Sequence, residues 1–309
     1  MSLNYSHFSA QPEYDTQFWN MARGNVTQDN YLSRGYNTAD GTYRMPLAAN
    51  NKVEQVLAKE SLFRNISTVI NAHAHGYRIF AKDCDDMALF VPEGGQIPIY
   101  DGLDDFTTKT VDHNKLAVFV KLDTDFASDA SFDIDGYLSK RIGKNFARGE
   151  DNSFINGTGE KEPTGILHES DGADVGVTVE SLTYDEVINL YFSVKAEYRK
   201  NGVWLMNDET ALVLRKLKDS DGNYLWNHAN DTILGKPVMI SEFMPGIASG
   251  KKPIAFGDFS YYWIISRSPV FFRALFEKFA LNNQIGYLST EYLDAKLVRK
   301  DAIKVIQMA

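Results

Sequence analysis

Two histidines, His73 and His75, stand two positions apart, so on a strand they would face the same way and could share a metal ion. No third ligand is near in sequence, and surface histidines beside a turn are the reading this spacing favours. Asp219, Asp221, Gly222 and Asn223 echo part of a calcium loop, but the order is wrong and the distal bidentate glutamate is missing, which leaves a turn. Gly157, Gly159 and Lys161 lack both the closing Gly-Lys-Ser/Thr and the preceding strand that a phosphate loop requires. Six histidines among many serines and aspartates permit imagined triads, yet no nucleophile-elbow sequence is present. No enzyme signature emerges, and no cofactor or metal is called for.

The informative pattern is electrostatic. The stretch between about 83 and 105 carries Asp83, Asp85, Asp86, Glu93, Asp101, Asp104 and Asp105 without a single lysine or arginine. Some forty residues on, Lys140, Lys144 and Arg148 recur every four residues, with Arg141 adjacent, so the cations line one side of a helix. Opposite charges are thus segregated onto two elements. They are either two solvated faces, worth almost nothing as isolated surface pairs, or complementary surfaces that set the register of a contact.

The basic stripe needs a helix to carry it. Ile134, Leu138, Ile142 and Phe146 recur every four residues with Tyr137 beside them, which predicts an amphipathic helix over about 131–155, capped by Asp129 or Ser131 and ended by Asn156, Gly157 and Gly159. From 133 to 154 it would be roughly 33 Å long, a strut across a domain. The acidic stretch holds Pro92, Pro98, Gly94, Gly95 and Gly102 and is too long for a compact connection, so it projects. Strands at about 76–82 and 115–122 flank it and are expected to pair as a long antiparallel arm. Upstream, Val53, Val56, Leu57 and Leu62 predict a helix capped by Asn50 or Asn51. Downstream, Thr183 with Glu186 forms a capping box for a helix carrying Val187, Leu190, Tyr191, Val194 and Tyr198 and ended by Gly202. A buried strand at 203–206, a helix from Asn207 to about Lys218, and strands near 237–241, 253–256, 261–266 and 270–275 follow, giving a mixed sheet flanked by helices. The last segment, 285–306, returns as strands.

Composition bounds the class. At 309 residues, with 44% hydrophobic and 24% charged residues, the chain can bury a sizeable core of one elaborate or two simpler domains. Sixteen tyrosines and nineteen phenylalanines imply contact surface beyond the core. A net charge of −9 argues against genome-binding or anionic-membrane surfaces, which need clustered cations. Cys84 is the only cysteine, so no intrachain disulfide and no thiolate metal cage can form. No apolar run approaches the roughly 18 residues of a membrane span, and the start of the chain is polar; a soluble protein made in a cytoplasm is expected. Residues 1 to about 45 show neither helical nor strand periodicity, although Phe8, Phe18, Trp19, Tyr31, Tyr36 and Tyr43 are more anchors than a disordered tail usually carries.

The long helix followed by Arg148-Gly149-Glu150-Asp151, Phe154-Ile155-Asn156-Gly157-Thr158-Gly159 and Pro163-Thr164-Gly165-Ile166-Leu167 resembles the spine-helix segment of tailed-phage major capsid proteins of the Hong Kong 97 type. The likeness extends in the family's order through VWLMNDETALVLRKLKDSDG from Val203, LGKPVMIS from Leu234 and IAFGDFSYY from Ile254. The resemblance implies an α+β capsid fold, with an N-terminal arm at 1–45 and a peripheral domain at 46–166 that includes an extended β-hairpin loop (about 77–122) and the spine helix. An axial domain at 167–274 and a return to the peripheral domain at 275–309 complete it. It implies a structural protein whose partner is itself, in pentamers and hexamers of an icosahedral shell around double-stranded DNA held without sequence-specific contacts. A scaffold protein, a maturation protease and a portal are the further partners such shells use, and no membrane is involved. The implied location is the virion capsid, assembled in the bacterial host cytoplasm. The resemblance implies that the loop reaches over an adjacent subunit and that the arm, with Phe18, Trp19, Tyr31 and Tyr36, lies across neighbours; the charge pattern adds the expectation that the acidic loop of one subunit lies across the basic helix face of the next. Some relatives weld their shells through a loop lysine and a neighbour's asparagine; Asn282 and Asn283 are present here, but Lys82 and Lys109 only flank the loop, so a non-covalent shell is expected. An encapsulin-type compartment is the alternative within the same fold, and a soluble hydrolase the alternative from another class.

Overall fold

Every second residue of Val203–Met206 points to a different core: Trp204 and Met206 join one apolar cluster while Leu205 joins another. Ile254 and Phe256 likewise separate from Ala255, and Ile306 from Val305, so this sheet is buried on both faces. The computed structural model that shows this describes residues 7–25, 30–72, 77–82, 106–111, 114–218 and 232–309, with isolated positions between them.

The first sheet takes its strands from both ends of the chain. In it β1 (Tyr36–Asn37) and β2 (Thr42–Arg44) lead to the long β12 (Tyr262–Leu275), then β13 (Gln284–Leu297) and β6 (Asn114–Asp123), while β3 (Thr68–Asn71) pairs with β12 in parallel. The second sheet runs in the order β7 (Asp174–Val179), β14 (Ile303–Met308), β11 (Ile254–Gly257), β8 (Val203–Met206), β10 (Lys236–Ile240), β9 (Thr232–Ile233). A separate ribbon joins β4 (Tyr77–Lys82) to β5 (Phe106–Val111). Helices α1 (Pro12–Ala22), α2 (Asn30–Ser33), α3 (Leu47–Glu60), α4 (Leu62–Ile66), α5 (Thr124–Ser128) and α6 (Ile134–Asn156) precede the second sheet; α7 (Tyr184–Ser193), α8 (Ala196–Arg199) and α9 (Asp208–Arg215) lie within it in sequence.

The expected long helix is present as α6, 23 residues and so roughly 34 Å. Asp133 caps it, accepting from the Gly136 N–H at 2.9 Å, whereas Asp129 turns back on Ser131 at 2.7 and 2.8 Å. Ile134, Leu138, Ile142 and Phe146 are buried with Val118, Val120 and Tyr287 of the first sheet; further along, Phe154 and Ile155 enter the core beneath the second sheet. One helix therefore braces both sheets. At Gly157 the chain leaves the helix so close to Pro163 that an added Cβ would sit 2.1 Å from the Pro163 carbonyl oxygen. At Gly143 a Cβ would sit 2.9 Å from the Val53 carbonyl oxygen of α3, so glycine there sets how closely α3 and α6 approach.

Several expected pairings resolve differently. The strand expected at 115–122 does not pair with that at 76–82; β6 pairs with β13, and β4 finds β5, which period-two reading missed. The strands expected at 261–266 and 270–275 are one strand with an irregularity between Arg267 and Phe271, and it belongs to the first sheet. Within 275–309, β13 lies in the first sheet and β14 pairs with β11 and β7 in the second. Helix α3 is preceded by Pro46, not by an asparagine cap; Asn50 is buried and accepts from the Val270 N–H at 2.9 Å. The helix read from 184 to 202 breaks at Val194 and Lys195 into α7 and α8.

The polar N-terminal stretch is also corrected. Tyr14, Phe18 and Ala22 recur every fourth residue on α1 and are fully buried, with Phe18 5.1 Å from the Phe272 ring. Tyr14 donates to the Arg44 carbonyl at 2.6 Å, Tyr287 donates to the Ala22 carbonyl at 3.0 Å, and Arg23 reaches the carbonyls of Ala127, Asp129 and Phe132. Phe18 and Trp19 are consequently core residues of their own subunit and are not available to a neighbour. Truncating Phe18 to alanine is expected to lower the unfolding free energy by about 3–5 kcal/mol, the usual cost of emptying an aromatic core site. A loss near zero in urea titration would place the segment back on the surface. Gly143→Ala is expected to destabilise by about 1–3 kcal/mol through overpacking against α3, although alanine is the better helix former; a gain in stability would refute the close-approach argument.

Candidate functional site

The seven acidic residues of the loop, Asp83, Asp85, Asp86, Glu93, Asp101, Asp104 and Asp105, lie outside the described residues, as do His73, His75, Asp219 and Asn223. Of the rest of the calcium-like set, Gly222 has φ +85° inside a turn closed by the Lys218–Tyr224 bridge. The glycine-rich exit is closed on itself: Thr158 bridges Thr164, and the Thr158 N–H and hydroxyl both donate to Glu162 at 3.1 Å. An amide that a phosphate would need is thus already engaged. Among the described residues no cluster of three His, Cys, Asp or Glu is placed to hold a metal, and no helix is long and apolar enough to cross a membrane.

The four helix cations all face solvent on α6, opposite its buried stripe. They are not equivalent. Arg141 donates to the Tyr137 hydroxyl at 2.8 Å and lies 5.9 Å from that ring; Arg148 pairs with Glu242 at 2.9 Å, both well exposed. Lys140 and Lys144 have no partner among the described residues. Tyr31 and Tyr36 are 37% and 44% exposed, Tyr31 under Arg34 at 5.3 Å and Tyr36 against Tyr43 at 4.9 Å, so these two anchors remain presented outward.

A buried joint went unread in the sequence. Glu150 of α6, fully buried, takes Arg64 of α4 in a bidentate grip at 2.6 and 2.7 Å. The next residue, Asp151, accepts from the Ser61 hydroxyl at 2.7 Å and from the N–H groups of Leu62 and Phe63, capping α4 from another helix. Burial alone would lower the Arg64 pKa, but Glu150 beside it outweighs this and holds it above its ordinary range. Glu291 of β13 completes the cluster. Only 4% exposed, it leaves Oε1 without a hydrogen-bond partner among the described residues, next to a cavity of about 190 Å³ also lined by Glu54 and Arg267. Burial, then the neighbouring Glu150, push the Glu291 pKa well above the usual glutamate range, with Arg64 opposing. Nothing in the periodicity of α6 marks two consecutive acids as buried; α4 and β13, distant in sequence, are what close over them. This arrangement joins elements and offers no nucleophile or general acid–base pair to a substrate.

The model of the phage capsid family matches residues 41–308. The chain belongs to that family. Among solved structures, the capsid of an empty GTA particle computed with C5 symmetry is 28% identical, with a TM-score of 0.65 over 81% of this chain and 90% of that one. The capsid of a native GTA particle is also 28% identical, with a TM-score of 0.66 over 80% and 89%. A Microbacterium phage Oxtober96 chain, 16% identical at a TM-score of 0.58 over 81% and 91%, shares the fold. No curated protein matches the chain. The architecture is thus the Hong Kong 97-type α+β capsid fold, and this is a structural major capsid protein, not an enzyme. The comparisons lend the encapsulin alternative no support.

The joint gives this capsid protein a signed pH dependence. Because Glu291 binds its proton more tightly folded than unfolded, the stability it contributes is complete below the unfolded glutamate pKa of about 4.3 and is lost as pH rises toward its raised folded value. Glu291→Gln should flatten that loss, raising the melting temperature relative to wild type on the alkaline side; an unchanged pH profile would refute it. Glu150→Gln, which strands the buried Arg64 charge, should cost about 3–5 kcal/mol at neutral pH.

Proposed function

We propose that the chain is the shell subunit of a tailed double-stranded DNA phage or prophage, assembling into pentamers and hexamers that close into an icosahedral head. The observation that carries this is the 28% identity to a GTA capsid over nine-tenths of that chain, a capsid computed with C5 symmetry. A closed ring requires each copy to present two different complementary patches, and a shell multiplies weak contacts by symmetry. Exposed Tyr31 and Tyr36, the acidic segment 83–105 and the outward cations of α6 are the surfaces such contacts draw on. With a net charge of −9 the wall repels packaged DNA enough to let it slide. Assembly takes place in the bacterial host cytoplasm, with a scaffold protein, a maturation protease and a portal as further partners.

Light scattering of the purified chain across protein and salt concentration, followed by negative-stain microscopy, is expected to show rings or closed shells; a strict monomer under all conditions would count against the reading. The segment 83–105 contains no lysine, while Asn282 and Asn283 are exposed at the turn between β12 and β13. Boiled, reduced shells should accordingly run as a single monomer band. A ladder would show a covalent weld.

A further inference from the structure

The cavity beside the buried joint, about 190 Å³, is walled by α3, α4, β3, β12 and β13 and reaches solvent. Ala58 and Val69 at its mouth are exposed, whereas Val53, Leu57 and Glu291 at its floor are buried. It is therefore an apolar-walled pocket that ends at a carboxyl group. The charges around that floor do not cancel. Glu150 holds Arg64 at 2.6 and 2.7 Å, and Glu54 and Arg267 on the wall offset each other, which leaves Glu291 as the surplus acid. Only 4% exposed, Glu291 keeps Oε1 without a hydrogen-bond partner among the described residues. The last torsion of a glutamate is soft, so this oxygen turns toward a donor at the floor at little cost.

We propose that this pocket binds a primary alkylammonium ion, its head against Glu291 and its stem along Val53, Leu57 and Val69. The class follows from what the pocket offers. A buried carboxylate needs an opposite charge that also donates hydrogen bonds, and a compact ammonium on a four-carbon stem brings that charge together with an apolar body. A guanidinium is best matched by two parallel acceptors, whereas a single oxygen of Glu291 stands unpartnered. A metal ion would leave the apolar walls unused, and among the described residues no three acids are placed to hold one. In the absence of an amine Glu291 keeps its proton, because burial and then Glu150 push its pKa up against the pull of Arg64, with Glu54 adding to the push. Binding exchanges that proton for the ammonium: the O–H bond of Glu291 breaks, the proton passes to solvent, and the carboxylate pairs with R–NH3+.

Calorimetric titration of the full chain with n-butylammonium chloride tests the site. Saturable binding is expected, with a proton released for each amine bound and affinity rising roughly tenfold per pH unit from about pH 6 to pH 8, where the amine itself stays charged. Tetramethylammonium, which lacks N–H donors, and n-butanol, which lacks the charge, should bind roughly tenfold more weakly or worse. Glu291→Gln should abolish the proton release and weaken butylammonium binding by roughly tenfold or more. Ala58→Phe, on an exposed helix position at the mouth, should block the amine while the carboxyl NMR shift of Glu291 still titrates as in the wild type. Nα-acetyl-lysine methylamide separates two sources of the same chemistry: binding as tight as that of butylammonium assigns the ligand to a lysine side chain of a protein, and rejection of it assigns the ligand to a free amine. No saturable heat beyond that of sodium chloride, equal binding of tetramethylammonium, or unchanged binding in either variant would overturn the site.

Discussion

A guanidinium sealed between carboxylates fixes how the long helix meets everything around it. Arg64 in the bidentate grip of Glu150 carries a desolvation cost that only good geometry repays, and losing either partner leaves a buried charge alone. Asp151 beside it accepts from the Leu62 and Phe63 N–H groups at the start of α4, where the Ser61 hydroxyl takes the Arg64 N–H. Glu291 reaches the same cluster from β13, so one polar joint ties the helix, the α3–α4 corner and the first sheet. Apolar packing sets how much the helix buries; the joint sets its position along the sheet, because hydrophobic contact is non-directional and a two-pronged ion pair is not.

The hairpin of β12 and β13 extends that constraint to the second sheet. Ile285 and Tyr287 of β13 belong to the core beneath α1 and α3, while Leu293, Ala295 and Leu297 of the same strand belong to the core that also holds Leu205, Ala255 and Val305. A stiff strand and a stiff helix thus both run from one core to the other. A shell subunit needs this: contacts at its rim transmit force from neighbour to neighbour, and a hinge between the two sheets would let that force dissipate as local motion.

Much of this was legible in the chain. Ile134, Leu138, Ile142 and Phe146 set the buried face of α6 and its bounds, expected at about 131–155 and found at Ile134–Asn156, since a four-residue apolar period has no other regular solution. Asn207 as a cap and Val203–Met206 as a buried strand follow from local chemistry, and the Asn207 side chain indeed accepts from the Thr210 N–H at 2.7 Å. The stripe Tyr14, Phe18, Ala22 is equally present but diluted by glycines and asparagines on either side, so its period does not stand out from the arm.

For elements such as α3, α6 and α9, sequence alone determined the helix and which side of it is apolar, because those depend on the chain's own periodicity and on residues within a turn or two. Only the tertiary structure decided partners. The backbone ladder is chemically the same for any two strands, so nothing local told β6 to choose β13 over β4, or β14 to leave the first sheet for the second. For the same reason Glu150 and Asp151, indistinguishable from solvated acids on their own helix, became the buried joint only once α4 and β13 closed over them.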